Sequence, residues 1–315
     1  MKYIKKFARF SMKKSFFKAI ALAMTLLCIA LVFVGCNTAP DPVEKEITIE
    51  LASFNIRLDA DSGVRAWSYR KQHVFDYILQ QNKDIICMQE VNENQYLDLV
   101  EGVGSKYNIV YYGRQTGTNP EGLAILYDKV KFTAIKEGIF WLSETPHKIS
   151  LGWGASYYRI CVSALLRHNE TGKYFDVYNT HLDHQVELAR SEGIKLVMNR
   201  ANASDFPAVV CGDMNGYVGD SWYDTATELM YDCQANAVET EYGPSFNGWG
   251  ENDYSAAPDG EVDKSTIDFC FASDDFEIST FQIHQDKIDE GVYYSDHFMV
   301  STTLVYSYWE VPTAE

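Results

Sequence analysis

YFDVYNTHLDHQVELARSEGIKLVMNRANASDFPAVVCGDMNG, residues 174–216, is the stretch that decides the fold class. Tyr174–Asn179 alternates apolar and polar residues, the period of a half-buried strand. Gln185–Ala203 then puts Ile194, Val197, Met198 and Ala201 on one helical face. Ala208–Cys211 is a short apolar run, again a strand. Each of the two strands ends in a polar cluster, Asn179-Thr180-His181-Leu182-Asp183-His184 and Gly212-Asp213-Met214-Asn215. A strand that delivers polar groups, a helix, and a second strand that delivers more is the pattern of an α/β site built on sheet ends.

The pattern repeats outward. Ile47, Ile49 and Leu51 alternate along a strand that ends in Ser53-Phe54-Asn55-Ile56-Arg57. Tyr69–Asn82 has helical spacing, and Asp84–Gln89 is a strand run ending in Gln89-Glu90-Val91. Further strand signals fall at 107–112, 123–127, 159–167, 267–272 and 298–305. Ile267-Asp268-Phe269 sets one acid inside an apolar strand, and Ser295-Asp296-His297 forms a last cluster, read as following a strand like the others. Two packed mixed sheets flanked by helices, in one domain over 47–315, accommodate these elements. No sequence repeat of solenoid or propeller length is present.

Residues 1–36 stand apart. Seven basic residues precede an apolar run, Ala19–Val34, closed by Gly35 and Cys36. This is an export signal of lipoprotein type, expected to leave Cys36 acylated and the protein anchored in the cell envelope. A retained single-span anchor is the alternative. Either way the catalytic part lies outside the cytoplasm. Residues 37–46, with Pro40 and Pro42, read as a tether. Loss of the seven leader cations moves the formal net charge from −17 to −24. So acidic a body, without a Lys/Arg run, repels long polyanions, and no extended nucleic acid is expected as partner. Cys87, Cys161, Cys211, Cys233 and Cys270 contain no C-x-x-C pair, which argues against both a disulfide framework and a thiolate zinc site.

Asp268, flanked by Ile267, Phe269, Cys270 and Phe271, faces burial and needs a partner, for which His297 is the obvious candidate. Two other motifs are incomplete. Asp213-x-Asn215 begins like a calcium loop, but Val218 stands where Gly is needed and Asp224 where Glu is needed. His181-x-Asp183-His184 resembles part of a zinc hydrolase motif, but Asn179 replaces the preceding His.

In order and spacing, S-F-N-I-R, Q-E-V, N-T-H-L-D, G-D-M-N, I-D-F and S-D-H resemble the endonuclease/exonuclease/phosphatase superfamily from Ile47 to about Val305. Tyr111–Arg114, Glu121–Tyr127, Trp141–Pro146, Arg159-Ile160-Cys161 and Phe246-Asn247-Gly248 resemble a secreted bacterial branch of it. The resemblance implies a four-layer α/β sandwich and a Mg²⁺-dependent phosphoester hydrolase, with Mn²⁺ as an alternative metal. Glu90 is the implied principal metal ligand, with Asn55 through its amide oxygen and Asp296 directly or through water. Asp213 is expected to orient or deprotonate the attacking water, and Asn215 to hold the phosphate. His297 is expected to donate to a phosphate oxygen, with Asp268 fixing its tautomer. His181 and Arg159 are expected to be further phosphate donors. Arg57 stands where the abasic-site enzymes carry an acid, so it is expected to face a phosphate rather than a metal. The substrate class this implies is a sugar or inositol phosphate or a phospholipid head group, handled by a monomer. An extracytoplasmic nuclease and a non-catalytic envelope binding protein are the competing functions. Trp141-Leu142 and Trp249 are the candidates for a membrane-seeking hairpin, though packing is expected for both.

Overall fold

The computed structural model describes residues 41–251 and 266–312. The export signal with Cys36, and residues 37–40 of the expected tether, lie outside these residues. Apart from Val43, Trp309 and Glu310 at two strand ends, both sheets lie in one compact unit, Glu44–Tyr308.

The first sheet is formed by β1 (Val43–Asn55), β2 (Ile85–Asn92), β3 (Tyr107–Gly113), β4 (Glu121–Asp128), β10 (Glu239–Thr240), β12 (Phe276–His284) and β13 (Met299–Glu310). Its order is β10-β12-β13-β1-β2-β4-β3. The second is formed by β5 (Phe132–Trp141), β6 (Ile160–His168), β7 (Tyr174–His181), β8 (Ala208–Asp213), β9 (Tyr231–Asp232) and β11 (Asp268–Ala272), in the order β5-β6-β7-β8-β11-β9. The helices are α1 (Trp67–Gln81), α2 (Glu93–Val103), α3 (Glu187–Asn202), α4 (Ser221–Thr227) and the short α5 (Cys233–Asn236).

Alternation along the strands produces the layers. Ile49, Leu51, Cys87 and Ile125 of the first sheet meet Val162, Val177, Cys211 and Cys270 of the second in a shared core. Phe54, Ile86 and Met88 point the other way, against Val74 and Ile78 of α1 and Leu99 of α2. On the far side, Val210 and Phe269 pack on Ile194, Val197 and Met198 of α3 and on Trp222 of α4. The result is helix, sheet, sheet, helix, because successive strand side chains face opposite sides.

Gln89 and Asn179 cross the inter-sheet space. Gln89 Nε2 donates to Asn179 Oδ1 at 2.8 Å, and Asn179 Nδ2 donates to the carbonyls of Met88 and Ala124. These bonds satisfy the Asn179 amide and the Gln89 nitrogen, while Gln89 Oε1 is buried without a partner.

Some elements differ from the sequence reading. β1 begins at Val43, four residues before the alternation starts, and its first four residues are exposed. β5 gave no clear apolar period because it is an edge strand with Thr133 and Lys136–Glu137 in solvent. β12 is interrupted by a bulge between Ile278 and Thr280, which breaks the two-residue period. α2 is announced by a capping box, Asn92 with Gln95, rather than by a strong apolar stripe. Ser295-Asp296-His297 precedes a strand, β13, instead of following one. Leu142 is buried, Trp141 donates its Nε1 to the Arg114 carbonyl, and Trp249 stacks over Arg65 and Arg70, so these side chains are packing groups.

Candidate active site

Strand pairing decides which polar clusters meet. β1 and β2 run parallel with Asn55 opposite Gln89, so Asn55 and Glu90 share one sheet end. β7 and β8 run parallel with His181 opposite Asp213. β11 runs antiparallel to β8, and its first residue, Asp268, lies opposite Asp213. Ser295 Oγ donates to the Asn55 carbonyl at 2.7 Å, which brings the residues before β13 to the same place. The termini of both sheets therefore open on a cavity of about 680 Å³, lined among others by Glu90, His181, Asp213, Asn215, Asp296 and His297.

Within it His297 Nδ1 lies 2.8 Å from Asp268 Oδ2, and His297 Nε2 lies 3.7 Å from Asp213 Oδ2. Burial works against a charge on this imidazole, but Asp268 and Asp213 overcome it and raise its pKa to about 10. His297 is therefore an imidazolium at neutral pH, with Nδ1–H committed to Asp268 and Nε2–H facing the cavity. Burial raises Asp213 to about 7; His297 opposes the shift and Asp268 adds to it.

His181 differs from His297. Burial, then Arg159 and Arg114, push its pKa well below the usual value, so it is neutral. Its Nε2 lies 2.8 Å from Asn215 Nδ2 and 3.4 Å from Asp213 Oδ2, while its Nδ1 is buried without a partner. With Asn215 donating, the proton sits on Nδ1. His181 thus fixes Asn215, and with Nε2 accepting and Nδ1–H buried it has no N–H to offer a phosphate, contrary to the role expected from sequence.

Glu90 and Asp296 line the cavity and Asn55 lies against Glu90, but the amide oxygen expected to face a metal is turned to the backbone. Asn55 turns its Nδ2 to Glu90 Oε1 (3.2 Å) and Asp213 Oδ2 (3.0 Å), while its amide oxygen accepts from the Arg57 backbone N–H. Arg57 takes the remaining place. Its Nη1 lies 3.6 Å from Glu90, its Nε 3.8 Å from Asp296, and the Nε donates to Asp61 at 2.9 Å. So Arg57 faces the carboxylates of Asp61, Glu90 and Asp296, not the phosphate expected from sequence. Burial raises the Asp296 pKa, against His297. Four site acids, Glu90, Asp213, Asp268 and Asp296, face two cations, Arg57 and His297. One carboxylate oxygen each of Glu90 and Asp213 and one ring nitrogen of His181 lie within 4.8 Å of one another. Surplus buried carboxylate with oxygen donors is the setting a hard divalent cation requires, and these residues fit one.

Three of the residues around the cavity are held in the left-handed backbone region, Arg57 (φ 58°), Glu90 (φ 57°) and Asn215 (φ 48°). Such a conformation costs a non-glycine residue roughly 1–2 kcal/mol and collects where side chains must be aimed. At Glu90 it coincides with a register shift between Met88 and Val91, so β2 is bent where it delivers its carboxylate.

Arg70 was not singled out in the sequence. It is fully buried, and its guanidinium donates to the carbonyls of Ile56, Arg57, Arg65 and Tyr294. One side chain thus clamps the turn after β1 to the segment before Ser295. A basic residue at an otherwise helical, half-apolar spacing was the only available signal. Arg159 is buried just before β6, with Nη2 3.0 Å from His184 Nδ1.

Residues 52–297 match the model of the Endonuclease/Exonuclease/phosphatase family. The solved endonuclease/exonuclease/phosphatase structure from Bacteroides vulgatus is 30% identical, with a TM-score of 0.75 over 82% of this chain and 98% of that one. The Bacteroides thetaiotaomicron mannosyl-6-phosphatase is 28% identical, with a TM-score of 0.72 over 82% of this chain and 100% of that one. Nocturnin of Drosophila melanogaster is 27% identical over 50% of this chain, which spans 26% of that protein.

Proposed function

This chain belongs to the Endonuclease/Exonuclease/phosphatase family, and from that premise we propose that it is an exported, Mg²⁺- or Mn²⁺-dependent phosphatase acting on small phosphorylated sugars. Members of the family hydrolyse phosphoesters with divalent metals. The observation that carries the finer reading is the His297–Asp268 pair beside Asp213, set in a bounded cavity in an acidic body. The likeness to a mannosyl-6-phosphatase over the whole of that chain supports a sugar ester. The leader and Cys36 support export and envelope anchoring.

Glu90 and Asp296 are the residues that would hold the metal, which would supply Lewis-acid polarisation of a phosphoryl oxygen when bound, while Asn55 holds the Glu90 and Asp213 carboxylates through its amide N–H groups. Asp213 in its carboxylate form orients the attacking water and accepts its proton. His297 donates from Nε2 to the phosphate as charge builds on it, and Asp268 holds the tautomer and stabilises the imidazolium. Asn215, whose two amide N–H groups go to His181 and the Leu182 carbonyl, positions Asp213 through its backbone N–H.

The reading is tested by assaying hexose phosphates, phospholipids and single- and double-stranded DNA, each with Mg²⁺, Mn²⁺ or chelator. Phosphate release from the sugar esters, lost in chelator, is the expected result. Degradation of DNA without turnover of sugar esters would make the protein a nuclease.

A further inference from the structure

Beyond His181 the cavity continues into a corner lined by Arg114, Tyr157, Arg159, His184 and Arg190. Its charges are incompletely balanced. Arg114 is paired with Glu121 at 2.7 Å. Arg159 is only 7% exposed, its Nε has no hydrogen-bond partner, and the Asp183 carboxylate stands off at 3.9 Å. Arg190 gives its Nη1 to the Asp183 carbonyl, leaves its buried Nε without a partner, and makes no ion pair among the described residues. Three guanidinium groups thus face two carboxylates in a chain whose formal charge is −17. Burying guanidinium N–H groups without acceptors is costly, and the planar fork they present suits phosphate or carboxylate. Arg190 also lies in the first turn of the 16-residue helix α3, where the helix dipole adds to the positive field. Tyr157, 45% exposed, stands between Arg114 and His184, 5.6 Å from the Arg114 guanidinium carbon and 5.5 Å from the His184 ring centroid. It presents an aromatic wall beside the basic corner.

We propose that this corner is a second anion subsite, so that the substrate is a sugar ester carrying another phosphate or carboxylate besides the scissile phosphate. The inference deepens the phosphatase reading and rests on it for the identity of the first site. Arg159 and Arg190 hold the second anion, and Tyr157 flanks the sugar between the two.

The test is calorimetric titration of the metal-free protein in chelator with hexose 1,6-bisphosphate and, separately, with hexose 6-phosphate. The bisphosphate is expected to bind about tenfold or more tighter, the scale of one charge-assisted contact. In Arg190→Gln the preference should fall to about twofold, and Arg190→Lys should keep part of it, because its charge remains while its fork is lost. Equal binding of the two esters by the native protein, or full preference retained in Arg190→Gln, overturns the subsite. A hexose bearing a 6-phosphate and a uronate carboxylate, titrated alongside, distinguishes the two kinds of second anion. Hydrolysis assays with Mg²⁺ on the same esters separate the two readings. Turnover without preference sinks the subsite alone, and preference without turnover sinks the phosphatase.

Discussion

Arg57 sits between the carboxylates of Glu90 and Asp296, in a left-handed turn and paired to Asp61. A fixed positive charge there opposes a second cation on the same oxygens. Arg57→Gln is therefore expected to tighten Mn²⁺ binding by about tenfold, on the scale of one screened charge interaction, as read by calorimetry. Glu90→Ala should weaken binding and lose most activity, with partial recovery at high metal; full activity of that variant in chelator would remove Glu90 from the site. The His297–Asp268 pair gives a further expectation with a definite sign. Carboxylates raise the folded-state pKa of His297 to about 10 from an unfolded value of 6.5. Its contribution to stability is then fully present below pH 6.5 and is lost as pH rises through about 10. In chelator the melting temperature should fall across that window, and Asp268→Asn should flatten the fall. The same substitution should lower phosphatase activity roughly 10²-fold, the loss typical of one general-acid contact.

At the scale of elements, the site is placed by how closely β7 and β8 approach. Gly212 lies opposite Thr180, and a Cβ at 212 would overlap the Thr180 carbonyl. Gly212→Ala must push the strands apart beside Asp213, and is expected to cost about 1–3 kcal/mol, the range of overpacked cores, in urea unfolding. Arg70→Met should act through the turn after β1 instead. It takes the guanidinium donor from the Ile56, Arg65 and Tyr294 carbonyls, while the Arg57 carbonyl keeps Gln95 Nε2. An outcome consistent with this role is weaker metal binding together with a lower melting temperature; unchanged values of both would make the clamp incidental. The bend in β2 at Glu90 and the αL turn at Asn215 belong to the same scale, since backbone geometry, not side-chain choice, aims these groups.

For the molecule as a whole, the acidic body sets which partners approach. With 44 acidic and 27 basic residues, long polyanions are repelled while a small ester reaches the basic corner unhindered. Electrophoretic mobility of a DNA duplex is expected to be unchanged by the protein at about 0.15 M salt, where charge repulsion is screened only beyond roughly 8 Å. A shifted band would point to a basic surface that the described residues do not reveal. The sequence by itself determined the two-sheet α/β class, the main strands and both long helices, because apolar period and strand-end polar clusters are local properties. It also placed Glu90, Asp213, Asp268 and His297 on the short list, since acids and a histidine beside apolar runs must answer for their burial. Edge strand β5, bulged β12 and the capped helix α2 escaped because exposure and bulging erase the period. Only the tertiary structure decided which way Asn55 turns its amide, that His181 is neutral while His297 is charged, and that Arg57 faces carboxylates. It alone revealed Arg70 as a clamp and joined Arg114, Arg159 and Arg190 in one corner. Those outcomes depend on distances between segments far apart in the chain. Charge state and hydrogen-bond direction follow from neighbours that pairing of the strands, not adjacency in sequence, brings within a few ångströms.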